Sequence, residues 1–385
     1  MAYASDSATG YSRDSRLNIR GLPLRALRDL VIRRRLRHPG TCHVFFCVAD
    51  HWEPKSGRPA KHVESDRVAR WANKYPRAVA GLADCRGRPP QHTFFYPQEE
   101  YEPEHLEGVA RLCRRGLADV EVHLHHDHDT ADGLREKLER FTRTLHDEHG
   151  LLRKDADGRI RYGFIHGNWA LDNSRPDGQW CGVNNELSVL IETGCYADFT
   201  MPSAPAACQT STINSIYYAT DDPQRPKSHD RGTPARVGAN PSEDTLLLIQ
   251  GPLALDWGDR KWGVLPRIEN GDLTARRPPT LQRLMLWMQA GVKVCGRDNW
   301  TFVKLHTHGA EESNMEMLLG QPMHEFHKAL ALYAAEQPWF RYYYVTAREM
   351  ATLVHAGENG VSDPLTVLNH KPVAVEIGQA AVGES

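Results

Sequence analysis

The sequence predicts an α/β protein whose strand-helix units form a barrel rather than an open sheet, and three observations carry that expectation. From Thr41 onward, short apolar runs alternate with helical patterns about seven times, the order of strand-helix units. The runs are nearly continuous rather than alternating, as in Cys42-His43-Val44-Phe45-Phe46-Cys47-Val48-Ala49, so helices are expected on the sheet faces. Polar clusters follow four of the runs: Asp50-His51, His123 to Asp127, His166 with Asn168, and His306 with His308. In parallel sheets and barrels the functional groups gather at the carboxyl ends of the strands, so these four clusters should converge on one face.

Each element has its own signal. Residues 1–40 carry nine arginines against three aspartates, and Leu24, Leu27, Leu30 and Val31 fall at helical spacing, which predicts a basic N-terminal extension with a helix. That helix either packs on the domain or lies on an anionic membrane surface. A single catalytic domain is expected over 41–356, with a tail over 357–385. Within it the strands begin at Cys42, His92, Ala118, Arg161, Ala197, Thr245, Phe302 and Arg341. Helices are expected over 63–80, 103–115, 131–149, 184–193, 279–290, 315–335 and 347–356. Gly194 closes the fourth of these at a C′ position. Residues 206–243, rich in Pro, Ser, Asp and Arg, read as a long excursion with little regular structure, and 251–276 as an irregular or hairpin insertion.

Composition narrows the function. The chain has 385 residues, 40% hydrophobic and 25% charged, with a net charge of −2, so it lacks the basic footprint of a nucleic-acid binder. Eight cysteines are scattered with no Cys-x-x-Cys pair, which argues against a structural zinc knuckle. No apolar run reaches the ~18 residues of a membrane span and no secretory leader opens the chain, so a cytoplasmic location is expected, with membrane association through the basic segment.

The chemistry sits in Val120-Glu121-Val122-His123-Leu124-His125-His126-Asp127-His128-Asp129, a strand that runs into four imidazoles and two carboxylates. Neutral imidazole and carboxylate are the usual ligands of zinc and similar divalent ions. Asp50, His51, His123, Asp127 and His306 together supply metal ligands, a base and a proton donor. In Lys304-Leu305-His306-Thr307-His308 a period of two sends 304, 306 and 308 to one side.

The order of these clusters resembles the polysaccharide deacetylases, the family four carbohydrate esterases that share the chitooligosaccharide-deacetylase homology domain. That family's fold is a distorted barrel of seven or eight strands and helices, here with loop insertions. Val48-Ala49-Asp50-His51 resembles its first motif with the second Asp replaced by His, which implies Asp50 as base and His51 as ligand. Glu121 to Asp127 resembles the second motif, implying His123 and Asp127 as ligands, with His125 or His126 as alternatives to Asp127. Gly163 to Trp169 resembles the third, with Ile165 where the family carries an arginine. Val303-Lys304-Leu305-His306 resembles the last, implying His306 as proton donor, and Asp256-Trp257 matches an Asp/Trp motif. The implied activity is removal of N-acetyl groups from an N-acetylated sugar, polysaccharide or glycan precursor by a divalent metal, zinc above all. His166, Asn168, Trp169, His308, Asp256 and Trp257 are the expected substrate contacts. The competing readings are a non-catalytic carbohydrate-binding relative, an amidohydrolase-type site built on His123-Leu124-His125, and a glycosidase using Asp50 with Glu53 or Asp198.

Overall fold

The structure, a computed structural model, describes residues 18–19, 22–31 and 40–369. It is a mixed α/β fold around one large sheet. The principal elements in chain order are α1 (Leu24–Val31), β1 (Cys42–His51), α2 (Lys61–Ala78), β2 (His92–Pro97), α3 (Pro103–Arg114), β3 (Ala118–Leu124), α4 (Ala131–Arg143), β4 (Ile160–His166), α5 (Glu186–Thr193), β5 (Cys195–Asp198), β6 (Ile216–Thr220) and β7 (Thr245–Ile249). They continue with β8 (Ala254–Lys261), β9 (Leu265–Glu269), α6 (Leu281–Ala290), β10 (Trp300–Thr307), α7 (Glu312–Leu318), α8 (Gln321–Glu336), β11 (Phe340–Tyr344) and α9 (Ala347–Glu358).

The sheet runs β6-β7-β5-β4-β3-β2-β1-β10, parallel throughout except for the antiparallel β6–β7 pair. β1 organises it. β10 pairs with β1 from His43 to Asp50, while the opposite edge is shared, by β11 over Cys42–Phe46 and by β2 over Ala49–His51. The carboxyl half of β1 is thus flanked by β2 and β10.

The two faces of the sheet bury different cores. Val44, Phe46, Val48, Phe94, Val120, Val122 and Phe164 pack against the helices. Their neighbours Phe45, Cys47, Ala49, Phe95, Ile165, Phe199, Ile216, Leu247 and Phe302 form a second buried cluster with α9. This second cluster unites β6 and β7 at one end of the sheet with β10 at the other, so the sheet curls around it. Among the described residues no strand pairing closes the ring. The free edge of β10 is instead met by loop backbone: Leu273 N–H donates to His306 O (2.8 Å), His306 N–H to Gly271 O (3.1 Å), and Phe302 N–H to Val292 O (2.9 Å). The Lys304 ammonium crosses the gap to Phe199 O at 2.7 Å.

Several elements differ from the sequence expectation. The helix expected over 315–335 is two, α7 and α8, because Gly320 separates them and Pro322 favours a fresh helix start. The 206–243 excursion contains β6, which pairs along its full length with β7. The 251–276 insertion is the β8–β9 hairpin. In the N-terminal extension, Leu27 and Leu30 of α1 pack against the cluster of Leu22, Ala204, Leu253 and Ile268, whereas Leu24 is exposed. Of the arginines behind the membrane-surface expectation, Arg25 and Arg28 are exposed on α1, and Arg33 and Arg35 lie outside the described residues, as does the tail beyond Asn369. Among the described residues no helix is long and apolar enough to cross a membrane.

Candidate metal centre

Strand periodicity brings the site together. Along β1 the inward positions are Phe45, Cys47 and Ala49, so His51 is the next inward side chain at the carboxyl end. On β3, Val120, Val122 and Leu124 face the helices, which leaves His123 inward. On β10, Phe302 is inward, and His306 follows at the same parity. One further period beyond each strand adds Glu53, His125 and His308. Three strand ends therefore deliver three spaced pairs, His51-x-Glu53, His123-x-His125 and His306-x-His308, to one mouth of the sheet.

Glu53 is the hub. Its Oε1 lies 3.2 Å from His123 Nε2, 3.7 Å from His125 Nε2 and 3.7 Å from His308 Nδ1. The His51 ring centroid is 5.0 Å from that of His123, 4.9 Å from His308 and 6.2 Å from His306. Two sets of donor atoms each fall within 4.8 Å, one from His51, Glu53 and His308 and one from Glu53, His123 and His125. Partners behind the rings set their orientation: His123 Nδ1 is 2.8 Å from Ile165 O, and His125 Nδ1 contacts the Glu99 carboxylate. A ring that donates through Nδ1–H presents a bare Nε2 to the centre, the arrangement that metal-binding histidines adopt. The donor set therefore fits a divalent ion. His51 and His123 are buried, whereas Glu53, His125 and His308 are half-buried, so the cluster opens on one side. An open side is what separates a catalytic metal site from a closed structural one.

The electrostatics agree with ligand character at His51 and Glu53. At His125 burial pushes downward, but the contact with Glu99, together with Glu53, outweighs it and raises the imidazole. Burial lowers the His51 imidazole well below its ordinary range, and the neighbouring His308, His123 and His306 add to the effect. Burial acts the same way on His306, reinforced by Lys304 and His308, so this ring is neutral. For Glu53 burial pushes upward, but the His123 hydrogen bond and the surrounding imidazoles outweigh it and hold the carboxyl at about 2. Beneath the site, burial lowers Lys304 to about 8.

The structure redistributes the residues singled out from sequence. His51, His123, His306 and His308 are brought together, and Trp169 joins them as a wall, 6.0 Å from His51 and 6.3 Å from His308 between ring centroids. Asp50 is not brought to the mouth. Its parity turns it to the helix side, where Oδ2 meets His92 Nε2 at 2.8 Å and Oδ1 accepts from Gly309 N–H at 2.6 Å. Asp127 is also displaced, because the chain leaves the strand after Leu124: its carboxylate is exposed and accepts from Trp180 N–H at 2.6 Å. Of the two alternatives to Asp127, His125 is in the cluster, while His126 turns the other way towards His166. Asn168 takes a left-handed conformation (φ 56°) at the start of the 167–185 loop. Asp256 and Trp257 line a separate groove of about 570 Å³ with Leu253 and Gln282, which contains none of the clustered histidines. The carboxylate pairs of the glycosidase reading are not assembled, since Asp198 is buried and hydrogen-bonded to Thr200 (2.7 Å) and Asp50 is committed as above. Glu53 and Glu99 are the residues whose part in the metal site the sequence reading missed. A signal for Glu53 was present, because the period of two that selects His51 continues to it.

No protein-family model and no curated protein matches the chain. Among solved structures, a protein from Mycobacterium smegmatis provisionally named a polysaccharide deacetylase aligns with a TM-score of 0.41 and 12% identity, over 83% of this chain and 92% of its own. An alpha-mannosidase from Enterococcus faecalis V583 aligns with a TM-score of 0.43 and 9% identity, over 82% of this chain but only 29% of its own. These are distant likenesses of fold. The chemistry of the site rests on its own residues.

Proposed function

We propose that this chain is a metal-dependent hydrolase that removes N-acetyl groups from an N-acetylated carbohydrate, on a curled sheet that approximates the distorted barrel of the polysaccharide deacetylases. The observation that carries the proposal is the half-open cluster of His51, Glu53, His123, His125 and His308 at the carboxyl ends of β1, β3 and β10. A divalent ion, zinc by the balance of nitrogen and oxygen donors, would supply Lewis acidity towards a carbonyl oxygen and lower the pKa of water. Glu53 with His123 and His125, or with His51 and His308, would hold it. His306 is the proton carrier in this reading: its buried Nδ1 has no hydrogen-bond partner and is free to hand a proton to the leaving amine. Asp50, the base implied by motif resemblance, acts instead as the support of the His308-Gly309 turn. Trp169 supplies an apolar face on which a sugar ring can stack.

The test measures divalent metal content and acetate release from an N-acetylated chitooligosaccharide. His123→Ala and Glu53→Gln are expected to lower metal retention and to slow acetate release by about 100-fold or more. Unchanged acetate release in both variants, or full activity of metal-stripped protein, overturns the proposal.

A further inference from the structure

Behind the half-open cluster lies a second group of donors that the proposed reaction does not use. His126 follows β3, His166 ends β4, Cys181 sits in the 167–185 loop and Glu186 opens α5; all four are buried, and their donor atoms fall within 4.8 Å of one another. Glu186 Oε1 is 3.2 Å from His126 Nε2 and 3.6 Å from His166 Nε2, and Glu186 Oε2 is 3.4 Å from Cys181 Sγ. Around zinc, bonds of about 2.0–2.1 Å to nitrogen and about 2.3 Å to sulfur place neighbouring tetrahedral ligands roughly 3.3–3.8 Å apart, close to these spacings.

We infer that His126, His166, Cys181 and Glu186 form a closed structural zinc site, separate from the half-open cluster. Three observations carry it. His166 Nε2 is fully buried, has no hydrogen-bond partner and points at Glu186, while its Nδ1 is turned to Gly167 O, which leaves Nε2 bare towards the centre. The Cys181 sulfur receives two backbone N–H groups, from Asn173 at 3.3 Å and Val183 at 3.4 Å, which hold it 3.4 Å from Glu186 Oε2 and facing the other donors. Charge also balances: a thiolate and a carboxylate cancel a divalent cation, and the two imidazoles bind neutral, so no net charge is buried. Behind the ligands, the Asp129 carboxylate lies 3.2 Å from His126 Nδ1, and Asp172 N–H donates to Glu186 Oε2 at 2.6 Å.

The site ties an irregular loop to two strand ends. The 167–185 segment holds Asn168, Trp169, Asp172, Asn173 and Trp180 at positive φ and contains only two short 3₁₀ turns. It also presents Trp169 to the half-open cluster, so a zinc ion here fixes one wall of that mouth. The two centres are adjacent in the chain, since His125 faces one and His126 the other.

Sulfur distinguishes the two centres, because the half-open cluster contains none. Zinc-edge X-ray absorption on the full-length wild-type protein is expected to show one sulfur scatterer among the ligands. Cobalt substitution is expected to produce a thiolate-to-cobalt charge-transfer band in the near ultraviolet. Cys181→Ala is expected to remove that band and one metal equivalent per chain, whereas His123→Ala leaves the band in place. Absence of a sulfur scatterer and of the band in the zinc- or cobalt-saturated wild type overturns the inference, whatever the variant does to folding. Failure of the proposed hydrolase reading does not alter the sulfur signature.

Discussion

At the scale of single residues, the turn that carries His308 shows why so few of the polar groups near a strand end can act. Gly309 sits where an added Cβ would lie 2.1 Å from Asp50 Oδ2 and 2.9 Å from the Trp71 ring. Its N–H donates to Asp50 Oδ1 at 2.6 Å and its carbonyl accepts from Trp71 Nε1 at 2.8 Å. Asp50 and Trp71 thus grip the backbone immediately after His308. Gly309→Ala is expected to displace this turn, lowering the unfolding midpoint and weakening metal retention together; an unchanged midpoint with full metal content would show that the grip is not needed. The same close approach occurs at Gly167, where a Cβ would lie 2.2 Å from the His125 ring, so the chain entering the 167–185 loop packs directly under a candidate ligand.

Among the elements, β1 has the largest consequences. Phe45 is fully buried at its centre and meets Trp300, Phe302 and Tyr343 at ring-centroid distances of 5.3, 5.1 and 5.6 Å. These partners come from β10 and β11, the strands flanking the amino half of β1. Phe45→Ala removes the shared contact and is expected to cost about 3–5 kcal/mol, read as a lowered denaturant midpoint at constant slope. A loss below about 1 kcal/mol would mean that the cluster repacks freely around the deletion. Elements with strong periodic signals, such as α2, α3 and β10, were legible in the sequence. β6 was not, because Ile216-Tyr217-Tyr218-Ala219-Thr220 is a short run inside a polar stretch and becomes a strand only through its pairing with β7. The break between α7 and α8 was legible in Gly320 and Pro322, and the apolar period running across both had masked it.

For the whole molecule, buried neutral histidines outside both candidate metal centres set a stability profile. Burial lowers His327 to about 3 and His105 to about 4, from an ordinary value of 6.5. His327 is on α8 and faces β11, with Nδ1 2.7 Å from the Tyr344 hydroxyl. Between about pH 6.5 and about pH 4 the unfolded chain binds protons that the folded chain refuses, so stability falls as the solution is acidified through that window and is fully present above it. His327→Gln keeps a polar partner for Tyr344 and removes one such group. The urea midpoint of this variant is expected to fall less steeply on acidification than that of the wild type; parallel slopes would show that His327 does not contribute.

The sequence by itself determined the strand-helix order and the parallel sheet, because apolar runs are local properties of the chain; the barrel it pointed to is not closed by any strand pairing among the described residues. It also set four polar clusters at strand ends, of which those after β1, β3 and β10 share the half-open mouth while His166 after β4 joins the other group of donors. Tertiary structure decided which side chain at each end faces that mouth. Asp50 and His51 are consecutive yet point to opposite faces, and His125 and His126 turn to two different centres. Cys181 and Glu186 acquire their meaning only from strand ends 15 or more residues earlier in the chain, at His126 and His166. Facing is set by a period of two in the strands and by loop paths beyond them, and the loop paths are fixed by long-range packing that no local pattern records.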